Sequence, residues 1–568
     1  MAAWRPHSVG ITGHSQGLAV AATLALATTE DSFHSISRKA LGLLMLTGIY
    51  PQMDYPPAGL STPPDTAQED GAPTPMAVVL KLTRAQLASA VDRHNAYQPT
   101  VAMRIHLSLT NGDKIFVVSG ATSSLTRFVA SLKREFDTGG ADQTRIPFSK
   151  RKPGVAVKYL SINAPYHCEL LAPAAKGACE YATRRGWLLD GRCLRRPLKA
   201  TDDGRDVRGV RKLSHFLLRS MIELRVDWPA AVTCPGVTHV VDFGPGGVNG
   251  IGVLVHRIYE GRGVSVICAG AFESRNSPLA AKTDLYRRDA TALLRAPNWA
   301  DEFRPRLIRC AADGRLHIDT PMSRLLGKPP VMVAGMTPST ISDVFVSAVV
   351  RAGYHIELSG GGHFSEPMLR DKVDKILKQA GPGTGITINS IYVNPFLWNI
   401  QYPAMQTMRR EGIPMEGLCI GAGVPSFEVC NEIIASIREV GFRHIGLKPS
   451  SVSTIRLVIK IAQANADFPI LLQWTGGRGG GHHSFEDFHQ PILETYSAIR
   501  AQKNIVLVAG SGFGGVDDTL PYLTGDWSRR FDRAPMPFDG CLFGSRVMVA
   551  KEGAASDSVK EAIVAAQG

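Results

Sequence analysis

Gln473-Trp474-Thr475-Gly476-Gly477-Arg478-Gly479-Gly480-Gly481-His482-His483-Ser484-Phe485-Glu486-Asp487-Phe488-His489 follows an apolar run over 468–472 that reads as a buried strand. Five glycines between 476 and 481 exclude a helix or strand interior; they permit positive φ and close backbone approach to a ligand. Bare N–H groups suit anions and ring edges, so the expected ligand is flat or phosphorylated. His482 and His483 close the loop, and a histidine titrates near neutral pH, where it can donate a proton in catalysis. Alone, the stretch reads equally as a flexible surface turn. Its surroundings decide between the two readings.

Outward from this stretch the pattern strand, glycine-rich turn, helix repeats. Strands are expected over 330–334, 354–358, 385–392, 417–420, 444–448, 468–474, 505–509 and 541–543. Helical patterns lie over 339–352, 368–379, 403–412, 426–440, 453–464 and 490–501. Eight strands alternating with helices predict a TIM (β/α)8 barrel; an open doubly wound sheet is the alternative. A barrel places its site at the C-terminal strand ends. Those ends are Gly335-Met336-Thr337-Pro338, Ser359-Gly360-Gly361-Gly362-His363, Asn389, Gly421-Ala422-Gly423, Lys448-Pro449, the opening loop, Gly510-Ser511-Gly512-Phe513-Gly514 and Gly544-Ser545-Arg546. The turns after the seventh and eighth strands, with Ser511 and Ser545, suit a phosphate. Lys448 is placed to stabilise negative charge on a ligand at the mouth. Each glycine alone reads as an ordinary tight turn; the set does not.

At 568 residues the chain has room for roughly three domains or two large ones. Its 44% hydrophobic and 20% charged residues are ordinary for a globular protein with sizeable cores. The net charge of +13 is scattered, densest at Lys150-Arg151-Lys152, Arg184-Arg185 and Arg195-Arg196. No nucleic-acid motif accompanies these groups, so the charge reads as attraction for phosphorylated cofactors and acidic carriers. Nine cysteines form no C-x-x-C pair, which points to a reduced, intracellular protein. No apolar run reaches the ~18 residues of a membrane span, and no metal site is read.

Near the start, 9–12 reads as the end of a strand. Gly13-His14-Ser15-Gln16-Gly17 and an alanine-rich helix over 18–29 follow. Gly-x-Ser-x-Gly between strand and helix is a nucleophile elbow: the turn is sharp, so glycines are expected on both sides of Ser15. The helix N-terminus and the N–H of Gln16 favour developing negative charge. A second helix is expected over 32–46 and an exposed loop over 51–75. Between 76 and 162 the order β-α-β-β-α-β, with a hairpin turning at Asn111-Gly112, predicts a ferredoxin-like insert. His167, presented after a strand by Pro165, is the candidate base for Ser15. Asp242-Phe243-Gly244-Pro245-Gly246-Gly247 makes a tight turn with no assigned chemistry.

The Gly13–Gly17 elbow, Val117-Val118-Ser119-Gly120 after the hairpin, Ala164-Pro165-Tyr166-His167 and the 242–247 turn resemble the acyltransferase domain of the fungal-type fatty acid synthase β subunit. The resemblance implies an acyl group carried from coenzyme A to Ser15 and on to an acyl-carrier thiol, with His167 as base. Only twelve residues precede Gly13. Domains of this kind have a longer start, including a Gly-Gln-Gly segment that completes the oxyanion hole, so the acyltransferase half is expected to be N-terminally shortened. Malonyl-specific relatives carry an arginine before a glycine on the second helix. Thr47 precedes Gly48 here, which implies a neutral acyl group such as acetyl.

The second half resembles the enoyl reductase domain of the same subunit, an FMN-dependent barrel related to nitronate monooxygenases. Residues 473–487 and 538–552 carry the most specific likeness. This implies FMN held by Gly335, Met336, Thr337, Asn389, Lys448, Thr475, Gly510, Ser511, Gly512, Gly544 and Ser545. It also implies NADPH as hydride source and a histidine as proton donor: His482 first, then His483, then His363. The implied domains are 1–315, with 76–162 inserted, and 316–568. The dehydratase and malonyl/palmitoyl transferase regions of a complete β subunit are not expected in this chain. Acyl carrier protein, acyl-CoA and a fatty acid synthase α subunit are the implied partners, in the cytoplasm, with neither nucleic acid nor membrane. A free-standing nitronate oxidase and a fragment without turnover are the alternatives.

Overall fold

The computed structural model describes residues 9–55, 70–137, 139–140, 142–152, 154–246, 250–269, 296–309, 314–477, 483–510 and 512–566. Two compact units emerge: Met1–Ala141 with Lys152–Ala296, and Asp142–Arg151 with Pro297–Gly568. This differs from the expected division at 315/316. Trp299 packs edge-on against Tyr496, ring centroids 4.8 Å apart. The Arg500 guanidinium lies 4.0 Å from the centre of the Phe303 ring. These contacts bind 297–315 to the barrel.

In the first unit, α1 (Gly17–Leu26) and α2 (Glu30–Asp54) pack with α5 (Ala172–Arg184) and α6 (Leu213–Ile222). Small side chains let α1 approach closely: Ala19, Ala22 and Ala25 are fully buried. Thr29 caps α2 in a reciprocal box with Ser32. The expected strand over 9–12 reduces to one parallel bridge, Ile11 to Leu198.

The insert consists of β1 (Met76–Leu80), α3 (Arg84–Ala96), β2 (His106–Gly112), β3 (Ile115–Ser119), α4 (Thr122–Glu135) and β4 (Ala156–Tyr159). Its strand order is β4-β1-β3-β2, extended in parallel by β5 (Val226–Asp227). One sheet face packs on Leu87, Val91, Leu125, Phe128 and Leu132 of α3 and α4. The other meets Trp228, Val255 and Tyr259. The hairpin turns at Asp113-Lys114, not at Asn111-Gly112. Asn111 stays inside β2 at a register irregularity, where its side chain has another partner. A parallel pair, β6 (His239–Asp242) and β7 (Ser265–Cys268), follows.

The second unit opens with a hairpin, β8 (Arg306–Arg309) and β9 (Leu316–Asp319). It then closes a barrel of eight parallel strands: β10 (Val331–Val333), β11 (His355–Ser359), β12 (Ile386–Ile391), β13 (Met415–Gly421), β14 (His444–Leu447), β15 (Ile470–Trp474), β16 (Ile505–Ala509) and β17 (Gly540–Phe543). Among the helices that differ from expectation are two around the barrel. Pro403 reads as a helix start, yet it lies inside Pro395–Arg410, whose cap is Asn394 with Pro395 in the first turn. Helix Val516–Thr524, between β16 and β17, was not anticipated because Pro521 interrupts its pattern.

The barrel interior has two halves. Met332, Ala334, Leu471, Val506, Val508 and Leu542 form an apolar half, closed below by Met322 and Leu326. Buried polar residues fill the other: His355, Glu357, Thr387, Asn389, His444 and Gln473. Among the described residues no helix is long and apolar enough to cross a membrane.

Candidate active sites

Ser15 sits between the Ile11 bridge and α1, with φ at +52°. A left-handed serine is uncommon, and such strained backbone clusters at functional sites. A Cβ on Gly13 would stand 2.1 Å from the carbonyl carbon and oxygen of Gly17, whereas one on Gly17 would meet open space. The sharp turn therefore needs glycine before the serine and not after it, contrary to the symmetric expectation.

Ser15 Oγ lies 2.9 Å from His167 Nε2. His167, also at positive φ, has its Nδ1 2.9 Å from the carbonyl oxygen of Leu224. A carbonyl only accepts, so Nδ1 carries the proton and Nε2 is left as the acceptor for the serine hydroxyl. The orienting group is thus main chain, not a carboxylate. Burial pushes His167 down to about 4, opposed by its hydrogen bond to Leu224, so the ring is neutral at pH 7 and can serve as a base. Beside it, His14 Nε2 donates to Asn111 Oδ1 at 2.9 Å, and its ring packs edge-on against Trp228. Thr47 is fully buried in α2, and its carbonyl accepts from the hydroxyl of Tyr166, the neighbour of His167, at 2.7 Å.

The barrel mouth gathers the second set. The carboxylate of Glu357 accepts from Gly335 N–H at 3.0 Å and Asn389 Nδ2 at 2.7 Å. It also accepts from Gln473 Nε2 and pairs with Lys448 Nζ at 3.4 Å. Thr337 and Ser359 hydroxyls lie 2.6 Å apart. A Cβ on Gly335 would meet Asn389 Cβ at 2.4 Å, one on Gly544 would meet Met336 Sδ at 3.5 Å, and one on Gly510 would meet Thr475 Oγ1 at 3.3 Å. Gly335, Met336, Thr337, Asn389, Lys448, Thr475, Gly510 and Gly544 therefore share one rim. Gly512 has φ +68°, and Ser545 opens a short 3-10 helix, Ser545–Val549. A Cβ on Gly514 would lie 2.5 Å from Arg546 Cδ, so the turns after the last two strands stand side by side with a guanidinium against them.

Ser511 and His482 lie outside the described residues; His483 is exposed. His363 is buried in the loop that follows β11.

Over 98% of its length the chain is 45% identical to the fatty acid synthase subunit beta of Schizosaccharomyces pombe, and over 99% it is 42% identical to that of Saccharomyces cerevisiae. Over nearly its whole length the chain is similar to a segment of fatty acid synthase β subunits. The fatty acid synthase beta subunit aflB of Emericella nidulans is 42% identical over 99% of the chain. The chain spans about a quarter of these β subunits: 26%, 28% and 26% of their lengths. A family described as starter unit:ACP transacylase in aflatoxin biosynthesis matches residues 2–153, the part holding Ser15. Another, described as fatty acid synthase subunit beta/Fas1-like, helical, matches 469–568.

Sequence reasoning placed Arg546 in a strand-end turn but missed Glu357 and the Leu224 carbonyl. A carbonyl leaves no trace in a sequence. Glu357 leaves one: it is the only charged residue in the run His355-Ile356-Glu357-Leu358-Ser359, and a charge in a buried strand needs partners.

Proposed function

We propose that the chain carries two activities of a fatty acid synthase β subunit. The first is transfer of a neutral acyl group from coenzyme A to an acyl-carrier thiol. The 2.9 Å approach of Ser15 Oγ to a neutral, oriented His167 carries this reading. His167 Nε2 takes the hydroxyl proton as Oγ bonds to the thioester carbonyl carbon; the C–S bond then breaks, and the proton passes to the departing coenzyme A thiolate. In the second half-reaction Nε2 takes the proton of the carrier thiol, sulfur attacks the acyl-serine, and the proton returns to Oγ. The N–H of Gln16 is the proposed oxyanion donor. Thr47 offers no cation for a malonyl carboxylate.

The second activity is reduction of enoyl thioesters at the barrel mouth. The rim fits FMN: crowded glycines leave room for backbone approach, and Gly510, Gly512, Gly544, Ser545 and Arg546 suit its phosphate, with Ser511 proposed from sequence alone. FMN, when bound, supplies hydride transfer from NADPH to the enoyl β-carbon. His482 is the proposed donor of the α-carbon proton. Acyl carrier protein, acyl-CoA and an α subunit are the proposed partners, the net charge of +13 suiting acidic and phosphorylated ones, and the proposed location is the cytoplasm. The named relatives do not favour a free-standing nitronate oxidase.

One protein preparation tests both halves. Radiolabelled acetyl-CoA is expected to label the chain, Ser15→Ala to remain unlabelled, and malonyl-CoA to label poorly. FMN is expected to bind stoichiometrically. His482→Ala should keep FMN and NADPH oxidation with an artificial acceptor, yet lose enoyl reduction by ~10²–10⁴-fold. Labelling that survives Ser15→Ala refutes the first activity; a folded protein that takes up no FMN refutes the second.

A further inference from the structure

Glu357 has no part in the chemistry above, yet it is the most heavily partnered carboxylate at the barrel mouth. It is fully enclosed, while the Lys448 side chain beside it keeps 19% of its surface accessible. One end of the pair is therefore locked inside the barrel and the other opens toward the mouth. Three donors fix the carboxylate: Gly335 N–H from β10, Asn389 from β12 and Gln473 from β15. Fixed at that point, it determines where the ammonium of a flexible four-carbon side chain rests.

We propose that Glu357 is a positioning residue for the flavin reaction: it holds Lys448 charged and aimed at the anionic edge that a reduced isoalloxazine presents. This rests on the reading of the mouth as an FMN site. Burial works against the charge on Lys448, and Glu357 outweighs it, keeping the ammonium above its ordinary range. Lys448 in turn, with the three donors, holds the Glu357 carboxyl well below the usual carboxylate range despite burial. Among the described residues, the other titratable groups facing the pair are Cys419, His355 and His444. The thiol is raised by burial, and the two rings are lowered to about 4 and about 3 by burial. All three are neutral at pH 7, so Lys448 has no substitute counterion. Charge beside the flavin ring is one of the protein's few means of tuning its electronics.

The test is the midpoint potential of bound FMN, measured against the unmodified protein between about pH 6 and about pH 9, where an unpaired enclosed lysine titrates. In Glu357→Gln the ammonium loses its partner. Its potential is expected above that of the unmodified protein at the acid end, where Lys448 is still charged. That difference should vanish or reverse at the alkaline end, where Lys448 has lost its proton. Glu357→Asp should restore most of the unmodified behaviour. In a Lys448→Met background, removal of Glu357 should produce no pH-dependent difference; this double variant also leaves no enclosed charge unpaired, so it guards against a folding failure of the single one. A Glu357→Gln potential that parallels the unmodified protein at every pH overturns the proposal while leaving the flavin reading intact. Absence of FMN from the unmodified protein overturns both.

Discussion

At the scale of single residues, the sign of a histidine shift decides how the proposed acyl transfer responds to acid. His167 is a base only when neutral, and enclosure lowers it from 6.5 to about 4. Self-acylation at Ser15 is therefore expected to persist through pH 5 and to fall only as pH approaches about 4. An ordinary histidine would lose half its activity near pH 6.5. Single-turnover labelling across pH 4–8 reads this directly; an acid limb near 6.5 would show that the ring is hydrated in solution. The stability sign runs the other way. A histidine with a depressed folded pKa is protonated first in the unfolded chain, so below about 6.5 it costs folding free energy, increasingly so down to about 4. Ser15 and His167 were legible because a pentapeptide motif and a proline-led histidine carry them. Glu357 was not: its role comes from Gly335, Asn389, Lys448 and Gln473, which the barrel draws together from distant positions.

At the scale of elements, periodicity served well where strands are fully enclosed and poorly where one residue has two uses. All eight barrel strands were legible, because short, largely apolar runs recur at regular spacing between helical patterns, most of them closed by a glycine-rich turn. The N-terminal strand was not: residues 9–12 have the composition of a strand but only one bridging partner. Pro403 misled for a related reason, since proline marks a first turn by default and only the real cap at Asn394 shows that the helix began earlier. The elbow gives the sharpest test at this scale. Gly13→Ala forces a methyl group to within 2.1 Å of the Gly17 carbonyl. Such a clash typically costs 1–3 kcal/mol, and acetyl labelling is expected to be lost. Gly17→Ala meets open space and should label normally. Equal loss in both variants would mean that the second glycine faces the acyl donor.

At the scale of the whole molecule, composition and period indicated a barrel half preceded by a second α/β half, but not how the chain is apportioned between them. The insert was legible from its element order; the fate of 142–151 was not, because a mostly polar ten-residue stretch between a helix and a strand carries no periodic signal. In the structure that segment is part of the barrel unit. Arg151 donates to Glu486 at 2.6 Å, and the carboxylate is fully enclosed while the arginine keeps 19% of its surface accessible. Removing one partner of a fully enclosed pair costs ~3–5 kcal/mol, and the partial exposure of Arg151 places this one lower. Residues 297–568 expressed alone should therefore melt below the same chain supplied with a 142–151 peptide, and an Arg151→Ala peptide should fail to restore the difference. Equal melting with all three would show the contact to be dispensable.

The backbone passes between the units after Ala141, after Arg151 and after Ala296. The two halves are therefore interleaved along the gene rather than set end to end. A single recombination break cannot exchange one for a foreign counterpart without leaving ten codons behind in the wrong partner.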